Sequence, residues 1–199
     1  MKCPKCKSEI KTFSQAHTYN SLTVYFYDCP ICKRPFVAEK GLTGKRLVEK
    51  FDEIQDKMPP RIKDLSPDAY KYYSNSLVLN LNRFGSFAGD GLRMALEWLL
   101  WDYLVKFRKA PEAEIKSAKL HDLIQMMTKS QESLFLYAEI CSDIVRIYGN
   151  DVVHVQKKLP DLSFDQALFA FEKLCGFIDA ELQIHELKSL TPKFRHTKA

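Results

Sequence analysis

Residues 92–103 read LRMALEWLLWDY, and this stretch decides the fold. Its apolar side chains recur at helical spacing: Leu92, Leu96, Leu99, Leu100 and Tyr103. The segment 98–101, WLLW, is apolar on nearly every side, which is typical of a helix buried at the centre of a bundle or of one that faces a dimer interface. We therefore predict a long helix over residues 87–107 inside a mainly α-helical domain.

Working outward, the sequence predicts four more helices. Ser66-Pro67 is typical of a helix start, because serine can cap a helix and proline suits its first position, so a helix is expected over 67–84. Further helices are expected near 115–127, near 131–148 and after Asp161, Ser163 and Asp165. No β-alternation of useful length follows residue 64. The body is predicted to be a bundle of about five helices joined by short loops.

Four of the six cysteines lie in two tight pairs at the N-terminal end, Cys3-Pro-Lys-Cys6 and Cys29-Pro-Ile-Cys32. Each Cys-x-x-Cys turn puts two sulfurs on one side of an ion, and Zn²⁺ prefers four thiolates in a tetrahedron. The β-branched and aromatic residues 22–27 predict a strand, and residues 36–38 a returning strand. We predict a small β zinc ribbon with structural Zn²⁺.

Other interpretations of the cysteines remain open. An iron–sulfur cluster has compatible spacing, and a redox dithiol would need only one pair. His17, between the pairs, is a possible further ligand or a surface residue. Cys141 and Cys175 lie in apolar helical stretches and are predicted to pack as small hydrophobic side chains.

Charge is unevenly distributed along the chain, whose overall net charge is +5. We divide it into a ribbon (1–40), a charged linker (41–63) with a possible helix near 45–57, a bundle (64–187) and a basic tail (188–199). The body is mildly acidic and both ends are basic, so RNA or DNA is expected to meet the ribbon, linker or tail, although basic ends can simply aid solubility. The chain has no secretion signal or long apolar run, so we expect a cytoplasmic protein with no membrane partner.

The ribbon offers a second indication of a nucleic-acid partner. Basic residues surround the cysteine turns: Lys2, Lys5, Lys7, Lys11, Lys33 and Arg34. Tyr19, Tyr25 and Tyr27 are interleaved with them. Exposed aromatics stack on bases and cations neutralise phosphates, whereas the alternative is that the tyrosines cover the ribbon's core.

Two segments of the body carry a resemblance to a known family. They are Arg93-Met-Ala-Leu-Glu97 and Arg146-Ile-Tyr-Gly149-Asn150-Asp-Val-Val-His154. Together with Pro67-Asp-Ala-Tyr70, they resemble a bacterial and phage domain of unknown function in the HEPN superfamily (higher eukaryotes and prokaryotes nucleotide-binding), which often follows a zinc ribbon. The resemblance covers roughly residues 59–187. It implies an antiparallel helical bundle that forms homodimers.

In active members of that superfamily, an arginine and a downstream histidine meet their dimer mates and cleave RNA without metal. The matching residues here are Arg146, Asn150 and His154, but Gly149 stands where active members carry the arginine. On an unbroken helix, each of the three matching residues is rotated around the helix axis by about 40° relative to the one four positions before it, so they share one stripe of the surface. Alternatively, Gly149 can end or bend the helix. Arg93 and Glu97 are supporting candidates: Glu97 can orient Arg146 or His154, or simply pair with Arg93.

These observations give three hypotheses for function. The first is a dimeric, non-catalytic or weakly catalytic HEPN-like protein that binds nucleic acid or a nucleic-acid-processing complex, in the setting of phage–host conflict that the resemblance implies. The second is a metal-independent endoribonuclease that uses Arg146 and His154. The third is an adaptor whose ribbon docks onto another protein.

Overall fold

The computed structural model describes residues 2–3, 6–13, 15–19, 22–32, 35–41, 44–47, 56–81, 85–128, 133–153 and 162–195. Its N-terminal part is a four-stranded antiparallel sheet in the order β1-β2-β3-β4. The strands are β1 (Gln15–Tyr19), β2 (Leu22–Asp28), β3 (Pro35–Gly41) and β4 (Gly44–Leu47). The register places Tyr25 opposite Ala16 on one side and opposite Ala38 on the other.

Helices form the rest of the described chain, so the mainly α-helical fold predicted from the sequence is confirmed. They are α1 (Pro60–Leu65), α2 (Pro67–Leu81), α3 (Gly85–Asp102), α4 (Glu112–Ser117), α5 (Leu120–Thr128), α6 (Ser133–Val153) and α7 (Phe164–Arg195). Four of the longer helices, α2, α3, α6 and α7, lie where the sequence predicts helices. The single helix predicted near 115–127 is instead divided at residues 118–119 into α4 and α5, and α1 was not predicted. A π-helical turn, Tyr103–Phe107, continues α3.

The helix α3 lies at the centre of the helical core, as its apolar sequence predicts. Its buried side chains include Leu92, Leu96, Leu99 and Leu100, and it packs against α2, α5, α6 and α7. The π-helical turn adds Tyr103, whose hydroxyl donates a hydrogen bond to Glu181 of α7. The residues that the sequence marks as apolar at helical spacing therefore form the core that holds the other helices together.

The two helix starts predicted from serine differ in what the serine side chain does. α2 begins at Pro67, but the Ser66 hydroxyl is buried and donates to the carbonyl of Trp98 instead of capping the helix. α7 begins after Ser163 with a reciprocal cap: the Gln166 amide donates to the Ser163 hydroxyl, and the Ser163 amide donates to the Gln166 side chain at 2.8 Å.

Residues 56–58, in the segment predicted to be a linker, are attached to the helical body. Met58 is buried, and the amide of Lys57 donates to the Tyr73 hydroxyl, which donates to Glu172 at 3.0 Å. In the same predicted linker, residues 45–47 belong to β4 and not to a helix, and α1 packs against α2 and α7. Residues 188–195 of the predicted tail continue α7.

Candidate functional site

Two turns bring the four N-terminal cysteines together. Cys29 and Cys32 follow the end of β2, in the connection to β3. The first turn is closed by two backbone hydrogen bonds: the Cys3 amide donates to the Ser8 carbonyl at 2.8 Å, and the Lys7 amide donates to the Cys3 carbonyl at 3.0 Å. The chain turns back at Lys7, whose φ of 60° is in the left-handed region. The two Cys-x-x-Cys pairs, 26 residues apart in the sequence, therefore form one cluster.

The spacing of the four sulfurs fits a single tetrahedral metal ion. All four lie within 4.8 Å of one another, with 3.7 Å between Cys3 Sγ and Cys32 Sγ and 3.4 Å between Cys6 Sγ and Cys29 Sγ. A regular tetrahedron with metal–sulfur bonds of about 2.3 Å has sulfur–sulfur edges of about 3.8 Å. None of the four forms a disulfide. The residues present can therefore hold a metal ion.

Ser8 is a residue of this cluster that the sequence does not single out. Its hydroxyl lies 3.0 Å from Cys6 Sγ and 3.2 Å from Cys29 Sγ. The pKa of Cys29 is lowered to about 5: desolvation opposes ionisation, but hydrogen bonds from the Ser8 hydroxyl and from the amides of Cys32 and Ile31 outweigh it. The pKa of Cys6 is also lowered, chiefly by the Ser8 hydroxyl. These contacts favour the thiolate form, which is the form that binds metal.

The sheet carries both buried and exposed aromatic side chains. Tyr27 is only 4% exposed and packs in the small core with Ile10 and Ala38, and Tyr25 is partly buried against that core. Phe13 is different, because its side chain is 51% exposed. Its ring makes an edge-to-face contact with Tyr25, with the ring centroids 5.1 Å apart. Tyr25 and Tyr27 thus follow the core interpretation, and among the described side chains of this part Phe13, which the sequence analysis did not select, is an exposed aromatic.

The basic residues near the cysteines are partly described. Lys2, Lys7 and Lys11 are exposed, and the exposed acid Glu9 pairs in a β-bridge with Lys2. The side chains of the remaining predicted positions lie outside the described residues: Lys5, His17, Tyr19, Lys33 and Arg34. Three lysines therefore provide solvent-facing positive charge within the first eleven residues.

The candidate catalytic residues are only partly described. Arg146 lies on α6, has 26% of its side chain exposed, and donates from Nε to Asp143 Oδ1 at 2.8 Å. The side chain of Asn150 and the whole of His154 lie outside the described residues, so the structure does not test whether the three meet. α6 continues through Gly149 to Val153, so the glycine does not end the helix.

Gly149 marks a close approach between α3 and α6. A Cβ built on Gly149 would lie 2.5 Å from Arg93 Cβ, 3.0 Å from Arg93 Cδ and 3.1 Å from Arg93 Cγ. Arg93 Nε is buried and has no hydrogen-bond partner in the part of the chain that the structure describes. The stem of Arg93 thus occupies the space that a side chain at position 149 would need, one turn along α6 from Arg146.

Glu97 does not pair with Arg93 among the described residues. It lies beside Trp98 and Trp101 on the wall of a cavity between α3 and α4. Cys141 and Cys175 are buried, and burial raises the pKa of both thiols, so they pack as core side chains, in agreement with the sequence prediction.

No protein-family model, no curated protein and no solved structure matches the chain. The resemblance to the HEPN superfamily therefore stays a prediction that rests on the quoted residues. Within the described ranges, no helix combines the length and the hydropathy that crossing a membrane requires.

Proposed function

We propose that this chain is a zinc-ribbon protein with a HEPN-like helical body, and that it binds single-stranded nucleic acid without cleaving it. The observation that carries the proposal is the four-sulfur cluster at tetrahedral spacing beside a small sheet, together with exposed lysines and an exposed phenylalanine in the segment before β1. The absence of cleavage is proposed because position 149 is a glycine, whereas active members of the superfamily that the chain resembles carry an arginine there.

Zinc is proposed as the metal because four thiolates and a closed shell suit a structural Zn²⁺ site. Apart from the cysteines, the buried hydrophobic side chains beside the cluster in the described residues are Ile10, Tyr27 and Ala38. A sheet of four short strands rarely offsets the entropy of ordering its chain without a staple, so metal binding is proposed to contribute folding free energy. All four ligands belong to the protein, so the zinc has no catalytic role.

Nucleic acid is proposed as the partner because the exposed side chains near the zinc site combine positive charge and an aromatic face. Lys7 and Lys11 can neutralise phosphates, and Phe13 can stack on a base. Because stacking requires an unpaired base, the proposal specifies a single strand.

The proposal is tested by fluorescence anisotropy of a labelled single-stranded oligonucleotide, as RNA and as DNA, with the zinc-loaded full chain. If Lys2, Lys7 and Lys11 each contact a phosphate, the logarithm of the association constant falls with the logarithm of salt concentration with a slope of about −2. Lys11→Gln should reduce that slope by about 0.7, and Phe13→Ala should weaken binding roughly tenfold. Lys119→Gln, an exposed lysine before α5, is the matched control and should change neither value.

The opposite result has a definite meaning. If the zinc-loaded protein binds neither oligonucleotide at low salt, the proposed function is wrong and the adaptor hypothesis takes its place. Binding that Lys11→Gln and Lys119→Gln weaken equally would place the contact outside the N-terminal sheet.

The second candidate function is metal-independent RNA cleavage, and the position of Arg93 favours it. Arg93 of α3 packs against the same turn of α6 that follows Arg146, and its Nε is unpaired among the described residues. Arg93 of α3 and Arg146 of α6 can together stabilise a phosphate, with His154 as the base. Cleavage of total RNA in a mild chelator, lost in both Arg146→Ala and His154→Ala, would support this function and overturn the leading proposal.

Homodimer formation is proposed as part of the same account. In the described part of α6, Leu136, Tyr137 and Ile140 are exposed apolar side chains, and Leu136 and Ile140 lie one turn apart. Helical residues four apart share a face, so a second copy can cover them. Light scattering should give the mass of a dimer for the wild type and of a 23.1 kDa monomer for Ile140→Glu. A monomeric wild type would contradict this part of the proposal.

A further inference from the structure

A cavity between α3 and α4 has the size of a small-molecule site. Its volume is about 350 Å³, within the range of about 300–1,000 Å³ that is usual for ligand pockets. The residues that give it chemical character are Glu97, Trp98, Trp101, Glu112, Ile115 and Lys116. The cavity is separate from the cysteine cluster, and the function proposed above does not use it.

Two indole rings form one wall of the cavity. The rings of Trp98 and Trp101 meet edge to face, with centroids 6.1 Å apart and planes at 65°. Both residues are only partly buried, although they flank the fully buried Leu99 and Leu100 of the same helix. Indole is the side chain whose face attracts cations most strongly. Lysine and arginine side chains lie over Tyr70, Tyr103 and Phe169 in the described structure, but none lies over either tryptophan.

The charged groups of the cavity favour a ligand of one charge sign over the other. Glu97 is half-buried, and within the described residues its carboxylate has neither a hydrogen bond nor an ion pair. Glu112 is a second, exposed carboxylate, and Lys116 is the one cation among the described lining residues, so the lining has a net negative charge. A half-buried carboxylate without a partner is unfavourable, and a bound cation would supply that partner. A neutral ligand would form no ion pair with Glu97, and an anion would meet two carboxylates.

We propose that this cavity binds a small organic cation that has an apolar body. The cationic group lies against the indole faces and beside Glu97, and the apolar part contacts the buried side chain of Ile115. The ligand class is that of alkylammonium and quaternary ammonium compounds, because they combine a diffuse positive charge with an apolar surface.

The chain itself supplies the reporter for this site, because Trp98 and Trp101 are its two tryptophans. Tryptophan fluorescence of the full chain is therefore measured while choline is added at constant ionic strength. The proposal predicts a saturable change with a Kd on the order of 1 mM, as expected for a ligand of few atoms. The neutral isostere 3,3-dimethylbutan-1-ol has the same shape without the charge, and it should bind at least about tenfold more weakly because the cation–π and carboxylate interactions are lost.

A pair of variants separates the role of Glu97 from that of negative charge in general. Glu97→Gln keeps the size of the side chain and should weaken choline binding about tenfold. Glu114→Gln removes the same charge from α4 at an exposed position outside the cavity, and it should leave binding unchanged. Three outcomes each overturn the proposal: no saturable change with choline, equal binding of the neutral isostere, or equal binding by Glu97→Gln and the wild type.

Discussion

Replacing Gly149 by alanine tests the contact between α3 and α6. The new Cβ would lie 2.5 Å from Arg93 Cβ, a distance that real Cβ atoms do not tolerate. Arg93 Cγ and Cδ can move away by rotation of the side chain, but Arg93 Cβ is fixed to the backbone of α3. Relief therefore requires one helix to shift against the other.

The magnitude follows from two opposing effects. Overpacking a well-packed interface costs about 1–3 kcal/mol. Alanine is favoured over glycine in a helix interior by up to about 1 kcal/mol, which offsets part of that cost. We expect Gly149→Ala to lower the free energy of unfolding by about 0.5–2 kcal/mol, equivalent to roughly 2–6 °C in Tm for a chain of this size.

Gly176 of α7 is the matched control. It is exposed, and a Cβ built on it meets nothing within 4 Å, so Gly176→Ala gains helix propensity without a clash. That variant should raise the free energy of unfolding by about 0.5–1 kcal/mol. The two substitutions are chemically identical, and both lie inside long helices, so the opposite signs isolate the contact with Arg93.

Urea unfolding followed by tryptophan fluorescence is the assay, because both tryptophans lie in α3 and report on the helical body. In an Arg93→Ala background, Gly149→Ala should remain destabilising but by less, since Cβ stays and the contacts with Cγ and Cδ are gone. If Gly149→Ala stabilises the protein as much as Gly176→Ala does, the close approach of α3 and α6 is wrong. The reason given for glycine at this position is then wrong as well.

Three further predictions concern the cysteine cluster and the helical core. Ser8→Ala removes the hydroxyl beside Cys6 and Cys29 and should lower zinc affinity about tenfold, measured by competition with a chelator, whereas Ser117→Ala should not. Lys7→Gly should stabilise the zinc-loaded sheet by about 1 kcal/mol because φ is 60° there, and Lys11→Gly should bring no such gain. Burial raises the pKa of Tyr73 and Tyr103 above the ordinary tyrosine pKa of 10.0. Their protonated hydroxyls therefore contribute fully to stability below pH 10.0, and this contribution is lost as the pH rises beyond that value. Tyr73→Phe should therefore cost about 1–2 kcal/mol at neutral pH and flatten the decline in alkaline solution, measured by urea unfolding across pH; an unchanged decline would contradict this role.

Local signals in the sequence identified the cysteine cluster and the starts of α2 and α7. Two Cys-x-x-Cys turns specify a four-sulfur site because each turn fixes its own pair, and only their meeting depends on the fold. The start of α7 at Phe164 was predictable from Ser163 because its cap uses neighbouring residues. Ser8 was missed because its role depends on a turn geometry that also positions Cys29 of the other pair.

Features that depend on another element could not be read from local sequence. Gly149 suggested a helix end, since glycine is common there, but the residue is required by Arg93, 56 positions earlier in the chain. Ser66 looked like a cap, but a carbonyl of α3 provides its hydroxyl with a partner. Glu97 was expected to pair with Arg93 or to orient Arg146 or His154. Among the described residues it forms no ion pair with Arg93 and lines a cavity with Trp98 and Trp101, whereas His154 lies outside those residues.

The central claim, that the four cysteines hold one structural zinc ion, is tested most directly by elemental analysis. The full chain is purified without added metal, and its metal content is compared with that of Cys29→Ser. The account predicts one zinc per wild-type chain and little or none in the variant. Iron in place of zinc, or a folded wild-type chain with no metal, would contradict it.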